Sequence, residues 1–148
     1  MRQGSLFDIH HHANPDDAVA LAGLMPSIRA AMNRIAGKDE ECRKQLVDTI
    51  NAVARRESVP LTRGGGKAIE KTTLDKWLQA SDQGHAPSLE AIAIFCLATG
   101  DASPLKHLFD ILGLEVIARS DMRFLTYGKA CAGMKKAKEE LKDAEAGL

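Results

Sequence analysis

The stretch EKTTLDKWLQASDQGHAPSLEAI, Glu70 to Ile92, holds the only tryptophan of the chain in a short helical pattern, followed by a polar break and a second apolar run. Leu74, Trp77 and Leu78 stand at i, i+3 and i+4, the spacing that gathers side chains on one side of a helix. Thr73, Asp75, Lys76 and Gln79 are left looking outward. A helix shorter than about 12 residues is marginal in water, so packing on neighbours must hold this one. Its expected role is positional: three apolar anchors presenting a polar surface. Thr72 or Thr73 suits its cap, with Asp75 three residues after Thr72 as an imperfect capping box.

Downstream, Ser88 is placed to cap SLEAIAIFCLATG, whose Leu89, Ile92, Ala93, Phe95, Cys96 and Leu97 are apolar nearly all round, as in a central buried helix ending at Gly100. Trp77 is expected between this helix and the long helix upstream. ASPLKHLFDILG repeats the device, with Ser103 as cap, Pro104 at the first helical position and Gly113 as terminator. LEVIA, residues 114–118, reads as a brief strand or an extended link. From Ser120 to Leu148, Tyr127, Ala130, Met134, Ala137, Leu141, Ala144 and Leu148 recur at alternating spacings of 3 and 4. This seam suits self-association or a helix folding back on its own domain.

Upstream, SVPLTRGGGKAIEK breaks the pattern at Pro60 and at Gly64 to Gly66 and reads as a basic, flexible loop. Before it, DEECRKQLVDTINAVARRE forms a helix with acidic residues at its start, Cys42, Leu46, Thr49, Ile50 and Val53 on one face, and Arg55 and Arg56 at its end. PSIRAAMNRIAGK is a further helix with Ile28, Ala31, Met32 and Ile35 on one side, stopped by Gly37. A helical pattern also starts at Asp16, through Val19, Leu21, Ala22 and Leu24. Residues 1–15 carry no periodicity and read as a flexible leader. Its His10, His11 and His12 lack a second ligand cluster, and no metal site is assigned. The resulting expectation is an all-α chain: leader 1–15, a compact helical domain over 16–118, and a C-terminal heptad-like helix over 119–148.

The chain's 148 residues suffice for one core rather than two, and 45% hydrophobic content with only 4% aromatics favours small aliphatic helix packing. Twenty basic and 20 acidic residues cancel, so overall charge gives no support to nucleic-acid binding. The charge is uneven, however. Between Arg55 and Lys76, the cations Arg55, Arg56, Arg63, Lys67, Lys71 and Lys76 face only the anions Glu57, Glu70 and Asp75. Cys42, Cys96 and Cys131 are dispersed and suit neither a disulfide framework nor zinc spacing; they read as reduced core residues. No apolar run approaches the roughly 20 residues that span a bilayer, and the start has no signal-peptide segment, so no membrane partner and a cytoplasmic location are expected.

Neither His85 nor His107 stands with a nucleophile and an orienting group at a recognisable spacing, so no catalytic residue is assigned and no enzyme is expected. His85 reads as a surface or capping residue. RGGGK lacks the Gly-x-x-x-x-Gly-Lys-Ser/Thr spacing and the preceding strand of a phosphate loop, and no cofactor is expected.

The order of a long helix, a basic connection, a short outward-polar helix and two capped helices suits a helix-turn-helix, in which the second helix enters the major groove. Thr73, Lys76 and Gln79 have the chemistry for base edges or phosphates. The block TTLDKWLQASDQGHAPSLEAIAIFCLATGDASPLKHLFDILG, Thr72 to Gly113, resembles small proteins of Mu-like and related prophages, in which a Leu-Asp-x-Trp helix precedes a Gly-His turn and a Phe-Cys-x-Ala-Thr-Gly-Asp helix end. More remotely it is similar to phage CII-type regulators built on a lambda-repressor-like helical domain. The resemblance covers under a third of the chain. It implies a DNA-binding regulatory module with Thr72, Thr73, Asp75 and Lys76 at the start of the recognition helix.

The connection from Ser58 to Lys71 is longer than the tight turn of an ordinary helix-turn-helix. Two readings follow. One is a phage- or prophage-derived transcriptional regulator, a homodimer binding double-stranded DNA through Arg55, Arg56, Arg63, Lys67, Lys71, Thr72, Thr73, Lys76 and Gln79. The other is a non-enzymatic protein-interaction module, engaging a partner through residues 79–85 and the C-terminal helix.

Overall fold

A computed structural model describes residues 20–148; the leader expected over residues 1–15 and the start of the following helical pattern lie outside this range. The described residues are all-helical, without a strand: α1 (Leu24–Ala36), α2 (Glu40–Glu57), α3 (Lys71–Leu78), α4 (Leu89–Thr99), α5 (Ser103–Ile111), a 3-10 turn (Arg119–Asp121) and α6 (Met122–Ala146). The described residues divide into two compact units, the first ending at Leu114 and the second Glu115–Leu148.

In the first unit α1 packs on α5, α2 on α4, and α3 is received by α1 and α2. One apolar core results, from Ile28 and Met32 of α1, Ile50 and Val53 of α2, Leu74, Trp77 and Leu78 of α3, and Ile92, Ile94 and Phe95 of α4. Trp77 is buried as its spacing predicts. Its helix rests on α1 and α2, and Trp77 shares the core with residues of α2 and α4.

Short-range chemistry sets the helix ends. Asp39 caps α2 by accepting from the Cys42 amide at 2.7 Å, and Ser88 caps α4 by accepting from the Ala91 amide at 3.1 Å. Gly37 and Gly100, both at φ 70°, end α1 and α4 in a backbone conformation that glycine adopts without strain. At α5 the expected cap shifts: the Asp101 carboxylate accepts from the Ser103 amide at 2.8 Å, and Ser103 itself begins the helix. At α3 the expected cap is absent. Glu70 occupies the N-cap without a side-chain bond, and Thr72 and Thr73 lie within the helix.

The buried face of α2 is Val47, Ile50, Val53 and Ala54, rotated from the expected one, so that Cys42 and Thr49 face solvent. Of the three cysteines only Cys96 is buried, which pushes its thiol pKa up; Cys42 and Cys131 are exposed. Residues 114–118 carry no regular secondary structure, so no strand forms there.

In the second unit α6 runs 25 residues with no buried side chain, and Phe124, Tyr127, Met134 and Leu141 are all exposed. Among the described residues no helix is long and apolar enough to cross a membrane.

Candidate nucleic-acid interface

The loop before α3 is fastened rather than free. Val59 and Ser58 amides return to the Ala54 and Arg55 carbonyls, closing α2 with Ser58 in the left-handed region. Leu61 and Ile69 then sink into the core at 2% and 6% exposure, anchoring both ends of the glycine segment. Between them the Leu61 and Thr62 amides donate to the Gly66 carbonyl at 2.7 and 3.3 Å, and Gly65 turns at φ 81°. A Cβ on Gly66 would sit 2.7 Å from the Thr62 hydroxyl, so the turn closes most easily on glycine. The expected flexible loop is therefore a tied one, with Arg63 and Lys67 exposed on it.

Asn51 of α2 clamps the last step into α3. Its amide donates to the Ile69 carbonyl at 2.9 Å while its carbonyl accepts from the Ile69 amide at 2.8 Å. Both backbone groups of one residue are thereby satisfied by one side chain, which fixes where α3 begins.

Charge then sets the helix in place. Arg43 of α2 donates to Asp75 at 2.8 Å, to the Gly37 carbonyl at 2.9 Å and to the Asn33 side chain at 2.8 Å, lacing α1, α2 and α3 together. Lys71 also pairs with Asp75, at 2.8 Å, and with Glu40, at 3.3 Å. The Lys71 hydrogen bond, with help from Arg43, holds the Asp75 carboxyl below its ordinary pKa. Asp75 is thus a fastening point, not part of a capping box.

Behind α3, Arg29 of α1 is 2% exposed, and its Nη1 donates to the Gln79 carbonyl at 2.7 Å and to the Asp82 carbonyl. Its Nε and Nη2 are buried without a partner. Asp82 accepts from the Gly84 amide at 2.8 Å and from the His85 amide at 3.1 Å and faces the His85 ring at 3.0 Å; the His85 bond, with the Gly84 amide, lowers its carboxyl pKa. The turn after α3 is thereby fixed from both sides.

The nine residues singled out from the sequence fall into three groups. Arg55, Arg63, Lys67 and Lys76 are exposed and have no ion-pair partner among the described residues. Arg56 pairs with Glu57 at 2.7 Å, and Lys71 is tied to Asp75 and Glu40, so neither offers a free charge. Thr72 is exposed in the first turn of α3. Thr73 is half-buried and, with Thr62, Arg63, Trp77 and His85, lines a hollow of about 200 Å³. Gln79 lies past the end of α3 on extended backbone, its amide donating to the Ser81 hydroxyl at 3.2 Å.

Arg43, Asn51 and Arg29 escaped the sequence reading. Asn51 and Arg29 each follow a buried isoleucine, Ile50 and Ile28, and a polar residue beside a buried position was the one available signal. Among the described residues no group of three or more His, Cys, Asp or Glu side chains could hold a metal ion.

No protein-family model, curated protein or solved structure matches this chain.

Proposed function

We propose that this chain is a phage- or prophage-derived, cytoplasmic transcriptional regulator that binds duplex DNA as a homodimer, with α2 and α3 as a helix-turn-helix of the lambda-repressor-like kind. The observation that carries the reading is the mounting of α3. Eight residues, too few to be stable alone, are held by three buried side chains, the Arg43–Asp75 pair and the Asn51 clamp, while Thr72 and Lys76 remain exposed. Such a helix is pre-set to enter a groove with its first turn, which is how a recognition helix meets base edges. Arg55, Arg63, Lys67 and Lys76 supply the phosphate contacts. Two half-sites need two reading helices, hence the dimer.

The protein-interaction reading draws support from a different observation, the zero net charge of the chain. A titration of labelled duplex DNA against salt separates the two. Four phosphate contacts give a log–log slope near −3.6, taking roughly −0.9 for each. Arg63→Ala and Lys67→Ala each make the slope shallower by about one and weaken all sequences alike. Thr72→Ala relaxes discrimination at one base pair by about 1–3 kcal/mol. Lys71→Ala, whose charge is internally paired, leaves the slope nearly unchanged. Binding that is absent even at low salt sinks the regulator reading and leaves the interaction module.

A further inference from the structure

α4 has an unusual composition for its position. Glu90 is its only charged residue, and a helix without a polar side is ordinarily covered on every side. Yet Leu89 and Leu97 are 62% and 60% exposed, and half-buried Ala93 lies between them. Positions 89, 93 and 97 follow one another at i, i+4 and i+8, a single ridge along the helix. Beside its C-terminal end, Ala93, Cys96, Leu97, Gly100, Ala102 and Leu105 line an open, apolar hollow of about 510 Å³.

We infer that this ridge is a two-fold interface between copies of the chain, with α4 of one copy antiparallel to α4 of the other. The argument is self-complementarity. A two-fold contact requires that if residue i meets residue j, then j meets i. Leu-x-x-x-Ala-x-x-x-Leu reads the same in both directions about Ala93, so antiparallel pairing sets Leu89 against the second copy's Leu97 at both ends and the two Ala93 residues on the axis. The small central residue lets the helix axes approach to the short end of the usual 8–10 Å. Leu89 and Leu97 are about 12 Å apart along the helix at 1.5 Å per residue, so Leu89 of the second copy arrives at the end of α4 where the hollow opens, and the hollow receives it twice in the dimer.

Charge is compatible with this pairing. Glu90 falls opposite Cys96, so no like charges meet, and antiparallel helices place opposite dipole ends side by side. The seam of α6 is a poorer candidate, because three of its seven positions are alanine and other apolar residues of the helix, Phe124 and Leu125 among them, lie off the seam on a helix rich in lysine and glutamate. A ridge of three residues and one hollow is smaller than the ~800 Å² per partner of a standard interface. The dimer is therefore weak, with micromolar dissociation. It does not depend on DNA binding.

Sedimentation of the full chain without DNA tests it. Between about 5 and about 200 μM, where a small interface dissociates, the mean mass of the wild type rises from 16.0 kDa toward twice that value. Leu97→Glu stays monomeric across the range with unchanged helical circular dichroism, and Leu89→Glu does the same. Met134→Glu combined with Leu141→Glu, on α6, leaves the rise intact. In a background carrying Cys42→Ser and Cys131→Ser, Ala93→Cys forms a covalent dimer on mild oxidation, a readout that does not require the leucine variants to fold. A monomeric wild type, a mass rise that survives Leu97→Glu or disappears with the α6 pair, or an Ala93→Cys chain that does not cross-link overturns the assignment.

Discussion

α3 and α6 are opposite solutions to forming a helix. The first has eight residues and buries three of them; the second has 25 and buries none. The short helix exists because the tertiary structure holds it, through Trp77 in the core and Arg43 and Lys71 on Asp75. The long one is built from good helix formers, with Lys136 and Glu140 paired along its surface at 3.8 Å. Length is thus no guide to structural importance here: the shorter helix fixes a defined surface, and the longer one is defined by its own backbone.

The contrast can be broken by substitution. Trp77→Ala costs about 3–5 kcal/mol in urea unfolding, because it empties a core site, whereas Leu141→Ala on α6 stays within about 0.5 kcal/mol. Equal effects would erase the distinction. Next in size is Asn51→Ala, which leaves the Ile69 amide and carbonyl unpaired and costs about 1–3 kcal/mol. Amide exchange at Ile69 rises more than exchange along α2, and uniform acceleration would show that the clamp does not act locally.

The smallest effect is the pH dependence of the Asp75 pairs. The folded-state pKa of Asp75 lies below its ordinary value, so the stabilisation is full above an unfolded pKa of about 3.9 and is lost as pH falls through the lower folded value. The stability gap between wild type and Asp75→Asn therefore narrows when urea unfolding at pH 3 is compared with pH 6. A gap that is constant or widens at pH 3 removes the ion pairs from the account of how α3 is held.

The sequence was most legible where the structure is local. The presence of α3 and its buried face of Leu74, Trp77 and Leu78, the Ser88 cap and the glycine stops at Gly37 and Gly100 all rest on residues within a turn or two of one another, whereas the ends of α3 fell elsewhere than Thr72 and Gln79. It was silent where groups meet across the chain: Arg43 and Asp75 are 32 positions apart and Asn51 and Ile69 are 18 apart, and no periodicity announces either meeting. Apolar pattern also told less than it promised. It marked Leu89, Leu97 and Cys42 as core, because spacing shows which side chains share a face and not whether anything covers that face. For the candidate site the cationic stretch was visible, but the difference between paired Lys71 and unpaired Lys67 was not, since the cap expected at Thr72 or Thr73 put Lys71 outside the helix and so hid its i,i+4 pair with Asp75, and Glu40 comes from a different helix.

Arg29 carries a consequence for the order in which the chain assembles. Its carbonyl partners, Gln79 and Asp82, lie 50 and 53 residues along the chain. Bringing together the ends of a segment that long costs roughly 3.5 kcal/mol in its length-dependent entropy alone, against contacts such as those of α1 with α2 that close far shorter spans. Until the turn beyond α3 has formed, the guanidinium has no carbonyls to meet and favours water over the interior. The seating of the Arg29 guanidinium is accordingly expected to come late. Arg29→Met, similar in bulk but uncharged, removes that requirement, and its effect should fall on the unfolding rate while the refolding rate stays near that of the wild type.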